Sequence, residues 1–239
     1  MRTNNPADDD KIPRIHRCVL MFSGGRDSTA AALRLAPICD ELHLITITSE
    51  HLYGESAIYQ RLGELEKVLP TKVHWQMFKQ PQDLLTNTTS YAPTCLPCHH
   101  AYVAAGVKVA QNISASHLSF GYVSYQNSWP EQTPYATQQL AKLLLNYDLQ
   151  LELPAYNITS KEEVMNILSK AGVSTAALEQ KCTRQINNVE LPAETLRAEI
   201  TMWESLIQST LERVGSINLE SMDERLLNTT YETERATYI

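Results

Sequence analysis

Residues 18–22 read Cys-Val-Leu-Met-Phe, an unbroken apolar run that stops at Ser23-Gly24-Gly25. A strand with one face in water alternates apolar and polar residues. A run without alternation therefore belongs to a strand covered on both faces, the kind found in parallel sheets. Parallel neighbours need a long crossover between them, and the chain supplies several. Residues 28–36 are helix formers, and Pro37 marks their end. The spacing then predicts a strand over 42–48, a helix over 53–69, a strand over 73–77 and a helix over 94–111 after Pro97. Further on it predicts a strand over 118–122, a helix over 134–147, a strand over 149–153 and a helix over 160–172 that Gly172 ends. Alternating strands and helices of this kind predict an α/β fold built on a parallel sheet with right-handed crossovers.

After Cys182 the pattern changes. Leu196, Ile200, Trp203, Leu206, Ile207 and Leu211 recur at helical spacing, which predicts one amphipathic helix over 192–214. Its apolar stripe reads as core or as a homodimer contact. The expected organisation is a flexible lead-in over 1–16, a main domain over 17–175, and a helical C-terminal extension with a loose, polar tail over 176–239. The 239 residues are enough for one sizeable core. The N-terminus carries Asp8, Asp9 and Asp10 and no apolar signal-peptide core, and no run is long enough for a bilayer. The expected location is cytoplasmic, with no membrane partner. There the sequons at Asn87, Asn112, Asn157 and Asn228 carry no meaning for glycosylation. The five cysteines suit buried, metal-binding or catalytic thiols better than a disulfide framework. A net charge of −7 argues against a dominant nucleic-acid-binding role, which needs clustered Lys and Arg.

The turn at Ser23-Gly24-Gly25-Arg26-Asp27-Ser28 lies between the buried strand and the first helix. Glycines allow close backbone approach, and the N–H groups of the turn and the helix start point at a ligand, so this is an anion site. The phosphate loop ending in Gly-Lys-Ser/Thr is absent, as is the dinucleotide fingerprint. That argues against a GTPase-like switch and against hydride transfer.

Ser-Gly-Gly-Arg-Asp-Ser resembles the PP-loop, Ser-Gly-Gly-X-Asp-Ser, of the ATP pyrophosphatase superfamily. The resemblance spans residues 17–172. It implies a three-layer α/β/α adenine nucleotide α-hydrolase-like fold, with ATP and Mg²⁺ as cofactors. A substrate oxygen would attack the α-phosphorus, pyrophosphate would leave, and a nucleophile would then displace AMP. By resemblance Ser23, Gly24, Gly25 and Ser28 hold phosphates, while Asp27 caps the helix or positions Mg²⁺. Thr46 and Thr48 fall where the family's adenine sits, and Gly121 near its ribose or phosphate. Ser160-Lys161-Glu162 is similar to the segment that brings a phosphate-facing lysine. Asp27, Ser28 and Lys161 are therefore the expected catalytic residues. Arg26 occupies the variable position, and the acidic residue usual after the glycine is replaced here by Tyr122, Tyr125, Gln126 and Asn127.

Cys95-Leu-Pro-Cys98 precedes His99 and His100, and Cys182 is a distant third thiol. Cys-X-X-Cys spacing turns two sulfurs to one side. Four readings stand: zinc held by the three cysteines and a histidine, a [4Fe–4S] cluster on the three cysteines, a redox or sulfur-carrying pair, and covalent haem at Cys-X-X-Cys-His. Cys18 and Cys39 read as structural. The order of Cys95, Cys98 and Cys182 resembles the family's tRNA-thiolating members. Residues 121–134 instead resemble the 7-cyano-7-deazaguanine synthase side, whose C-terminal four-cysteine zinc cluster is absent. Tyr125, Trp129 and Tyr135, with Gln126, Asn127, Glu131 and Gln132, suit a heterocyclic base. The expected activity is adenylation of a carbonyl or amide oxygen of a small 7-deazaguanine-like heterocycle, followed by attack of a nitrogen nucleophile. Sulfur transfer to tRNA, ligation of a base onto a partner protein, and a non-catalytic nucleotide sensor are the alternatives.

Overall fold

The computed structural model describes residues 14–81, 84, 94–184 and 190–227. Most of the lead-in, the sequons at Asn87 and Asn228, and the chain beyond 227 lie outside the described residues. In chain order the elements are β1 (Ile15–Met21), α1 (Arg26–Leu35), β2 (Cys39–Thr48), β3 (Leu52–Tyr53), α2 (Ser56–Leu65), β4 (Lys72–Lys79), α3 (Leu96–Asn112), β5 (His117–Phe120), α4 (Pro134–Leu145), β6 (Gln150–Glu152), α5 (Lys161–Lys170), β7 (Lys181–Cys182), α6 (Ala193–Leu211) and β8 (Ser221–Leu227). The main sheet has the order β6-β5-β1-β2-β4-β8. Its first five strands run parallel and β8 pairs antiparallel to β4. β3 and β7 form a separate two-residue antiparallel pair.

The apolar run behaves as its composition requires. Cys18, Val19 and Leu20 are fully buried, but on opposite faces. Val19 and Met21 join one core with α3, α4 and α6, whereas Cys18, Leu20 and Phe22 join the other with α1, α2 and α5. This is the three-layer α/β/α arrangement. Helix starts follow local chemistry. Thr133 accepts a hydrogen bond from the Ala136 N–H ahead of Pro134. Ser160 accepts from the Glu163 N–H, and the Glu163 carboxylate accepts from the Thr159 N–H, a variant of the capping box.

Three expectations about the ends need correction. β1 begins at Ile15, inside the expected lead-in, because Arg14 bonds the Asp40 carboxylate and the Pro37 and Cys39 carbonyls. The expected extension is built into the main domain, since α6 packs on α3 and β8 completes the sheet. Within the expected loose tail, Ser221–Leu227 is a strand despite its polarity. Asp223 accepts from the Tyr59 hydroxyl, and Arg225 lies 4.5 Å from the centre of the Tyr59 ring. The stripe of α6 is spent inside the chain. Ile200, Trp203, Ile207 and Leu211 are buried, and Trp203 donates to the Leu96 carbonyl at 3.0 Å. Among the described residues no helix is long and apolar enough to cross a membrane.

Trp203→Ala opens a cavity between α6 and α3 and removes the indole bond to the Leu96 carbonyl. It should destabilise the fold by about 3–5 kcal/mol, read from urea unfolding. A loss below about 1 kcal/mol would mean that α6 is not part of the core.

Candidate functional site

In a parallel sheet the ligand crevice lies beyond the carboxyl ends of the strands. A cavity of about 490 Å³ opens there, lined by Ser23, Gly25, Arg26, Asp27 and Ser28 from the turn between β1 and α1. Ile45, Ile47, Phe120 and Tyr122 give it apolar walls, and Gly121, Lys161, Glu179 and Gln180 complete its polar side. Gly24 has φ +78°, in the left-handed region where glycine is at ease. The Ser23 hydroxyl accepts from the Gly25 N–H at 3.2 Å and lies 3.1 Å from the Ser28 hydroxyl. α1 starts without a side-chain cap, so its first N–H groups remain for a ligand.

Asp27 does not cap the helix. Its carboxylate accepts from the Tyr125 hydroxyl at 2.5 Å and the Gln126 amide at 3.0 Å. Gln126 in turn accepts from Gln132, which takes the Val123 N–H on its own oxygen. The amides that looked suited to a base are therefore engaged in fixing Asp27. Burial pushes the Asp27 carboxyl above its ordinary pKa. The Tyr125 and Gln126 donors oppose that push, and the charge of Glu179 adds to it.

Arg61 supports the turn from below and is fully buried. Its Nε donates to the Gly24 carbonyl at 3.2 Å, and its remaining donors reach Glu64 Oε2 (2.6 Å) and the carbonyls of Ser174 (2.7 Å) and Ala176 (2.8 Å). Arg26 adds a bond to the Thr175 carbonyl at 2.7 Å. The segment after α5 is thereby tied to the turn, and it carries Glu179 and Gln180 into the cavity wall. Sequence reasoning missed Arg61. The signal was present: it stands among Ile58, Leu62 and Leu65 on the buried stripe of α2, where only a fully paired cation is tolerated.

The same segment leads to Cys182. Cys182 pairs with Leu52 across β3 and β7, and the Thr183 N–H donates to the His51 carbonyl. His51 Nε2 lies 3.5 Å from Cys98 Sγ, and Cys95 and Cys98 open α3. Burial raises the Cys95 thiol to about 12, and the charges of Glu131, Cys98 and Cys182 add to the rise. Burial lifts Cys98 to about 11, against the charge of Arg184. Their sulfurs do not all come within 4.8 Å of one another. A zinc tetrahedron needs edges of roughly 3.8 Å, so zinc would require closure. His99, beside Cys98, lines the cavity with Tyr102. Its Nδ1 is 2.8 Å from the Tyr122 hydroxyl and its Nε2 is 3.5 Å from the buried Glu131 carboxylate.

The structure brings Ser23, Gly25, Asp27, Ser28, Gly121 and Lys161 around one cavity. Gly24 shapes the turn without lining it. Thr48 is not on the wall; its hydroxyl donates to Glu55 at 2.6 Å. Thr46 is structural, donating to the Phe22 carbonyl and accepting from Trp75. His100 faces α6, 2.8 Å from the Thr210 hydroxyl. At Gly121 an added Cβ would lie 2.5 Å from Ser28 Cα and 2.7 Å from its nitrogen. Its bareness is required by backbone contact with the turn.

Several solved structures share the fold, and two of them illustrate it. A U34-tRNA thiolase, NcsA from Methanococcus maripaludis, determined with its [4Fe–4S] cluster, is similar with a TM-score of 0.53 at 14% identity, over 86% of this chain and 74% of that one. A 4-thiouridine synthetase in complex with RNA and bound ATP is similar with a TM-score of 0.53 at 14% identity, over 87% of this chain and 55% of that one. The chain thus spans little more than half the length of the second enzyme. No family model matches the sequence, and no curated protein does. Likeness at this identity establishes the fold, which is the one implied by the PP-loop resemblance.

Gly121→Ala must displace the Ser28 backbone. It is expected to weaken ATP binding by at least about tenfold in calorimetric titration, with the circular dichroism spectrum unchanged. Unaltered affinity would remove the turn from the binding site.

Proposed function

We propose that the chain is a PP-loop ATP pyrophosphatase that adenylates a carbonyl oxygen of a heterocyclic base and replaces that oxygen with sulfur. In the first step the substrate oxygen bonds the α-phosphorus of ATP and pyrophosphate leaves. In the second, a sulfur nucleophile bonds the activated carbon and AMP leaves with the oxygen. The N–H groups of the turn and of the α1 start would stabilise charge on the departing pyrophosphate. Lys161, exposed and on the cavity wall, would add a positive charge, and Asp27 would hold the Mg²⁺ that accompanies ATP. Ile45 and Ile47 offer apolar contact for adenine. Gln180 donates to the Ile47 carbonyl and keeps its oxygen unpartnered, free to accept from an amino group.

One observation carries the sulfur reading: Cys182, paired with Leu52, and Cys95 and Cys98, at the start of α3 with Cys98 Sγ 3.5 Å from His51, come from distant parts of the chain to one side of a cavity whose wall includes their neighbours His99, Leu52 and Gln180. Both structural neighbours are named as thiolating enzymes, one with a [4Fe–4S] cluster and one with RNA and ATP. Cys95, Cys98 and Cys182 would hold such a cluster, which when bound would present one iron without a protein ligand to a sulfur species. A second reading keeps the adenylation step, with a free 7-deazaguanine-like base and a nitrogen nucleophile. The net charge of −7 favours it, because an RNA substrate asks for a basic surface.

Pyrophosphate release from ATP, with unmodified tRNA or free heterocycles as acceptor, separates the readings. Stimulation by tRNA with appearance of a thionucleoside supports sulfur transfer; stimulation only by a free base supports the second reading. No release with any acceptor would sink both. Asp27→Ala and Ser28→Ala should each lower release by about tenfold or more. Cys182→Ser should keep pyrophosphate release and abolish the sulfur product, and it should remove the iron–sulfur absorbance of anaerobically purified protein. If the sulfur product persists in that variant, the cysteines have no part in the transfer.

A further inference from the structure

The opposite end of the sheet carries a second group of metal-ligating side chains that the proposed reaction does not use. Glu41 and His43 alternate along β2 and so project from one face. β2 and β4 are paired with His43 beside His74. The two imidazoles stack with centroids 4.6 Å apart and planes 5° from parallel. One ligand atom from each of Glu41, His43 and His74 lies within 4.8 Å of the other two, the only such group among the described residues.

A separate observation points to a missing ligand. His43 is 7% exposed, and its Nε2 has no hydrogen-bond partner. Glu41 Oε2 stands 3.8 Å from that nitrogen, beyond hydrogen-bonding reach. Buried polar atoms are normally paired, so an orphan aimed at a carboxylate calls for an explanation. Two cations already face Glu41. Arg17 Nε donates to Oε2 at 2.9 Å and is held in place by the Ile113 carbonyl. Lys72 Nζ lies 3.7 Å from Oε1, but its side chain is 38% exposed and can swing into water. Oε2, the oxygen nearest His43 Nε2, keeps a further lone pair beside the Arg17 bond and could meet a shared cation.

We propose that Glu41, His43 and His74 form a divalent transition-metal site, of the two-imidazole, one-carboxylate type that zinc accepts, bridging β2 and β4. Imidazole and carboxylate suit a borderline cation such as zinc. With metal–ligand bonds of about 2.0–2.2 Å, the three atoms must close to roughly 3.3–3.4 Å. Rotation of the half-buried His74 side chain, which also unstacks the rings, supplies that movement. Three protein ligands leave a fourth position for water. None of Glu41, His43 and His74 lines the nucleotide cavity, whose nearest wall residue on β2, Ile45, is roughly 7 Å further along the strand than His43 at the usual strand rise. The site is thus separate from the nucleotide cavity, and the proposal is independent of the proposed function.

The test uses the full chain carrying Cys95→Ser, Cys98→Ser and Cys182→Ser, stripped with chelator and titrated with cobalt(II). The expected result is one equivalent bound with nitrogen–oxygen ligand-field bands and no thiolate charge-transfer band. Zinc should displace the cobalt, and zinc should raise the melting temperature. Adding His74→Gln should weaken binding by at least about tenfold. Should the triple-serine chain fail to fold, zinc stoichiometry of the otherwise unaltered chain is compared with that of its His74→Gln variant, which should hold one equivalent less. The proposal is overturned by absence of saturable binding, by a thiolate charge-transfer band, or by binding or stoichiometry that His74→Gln leaves unchanged.

Discussion

A buried guanidinium underlies the candidate site. Arg61 has no exposed surface, yet it carries a full charge beneath the glycine turn. Removing such a group from water costs several kcal/mol unless its donors are met. They are met by one carboxylate and by carbonyls from two different segments, those of Gly24 and of Ser174 and Ala176. The planar fork thus sets the distance between the phosphate turn and the segment leading to Glu179, Gln180 and Cys182. A lysine could not replace it, since one ammonium lacks the geometry to serve both segments at once.

The sheet supplies the other half of the geometry. β1 and β5 run side by side with Met21 opposite Phe120, so the turn after β1 and Gly121 after β5 emerge together. Lys161 reaches the same cavity from the start of α5, and His99 reaches it from the first turns of α3. Four connections far apart in sequence converge because parallel strands end on one side.

What was legible in the sequence was local. The unalternating run at residues 18–22 announced a buried parallel strand, and the glycines with Asp27 and Ser28 announced an anion turn at its end. The Cys-X-X-Cys pair before a helix was equally visible. What escaped depends on tertiary context. Ser221–Leu227 is polar enough to pass for a tail; it is a strand because it pairs with β4 at the sheet edge, where most of its side chains stay in water and Asp223 and Arg225 meet Tyr59. The amides of residues 126 and 132 suit a base in isolation, and only the fold directs them to Asp27 and to each other. Thr48 sits at the expected strand end, but its hydroxyl is turned to Glu55. Side-chain direction at a strand terminus depends on neighbours that a linear pattern does not name.

Gly121 and Ser28 meet backbone to backbone, with no room for even a methyl group between them. The glycine-turn end of the cavity is thus made largely of peptide groups, which every residue possesses, whereas its other wall is made of side chains such as those of His99, Tyr122 and Gln180. Substitutions on that wall change its chemistry while the backbone of the turn keeps its shape. On the proposed reading, activation by peptide groups and choice of acceptor by side chains would rest on different residues.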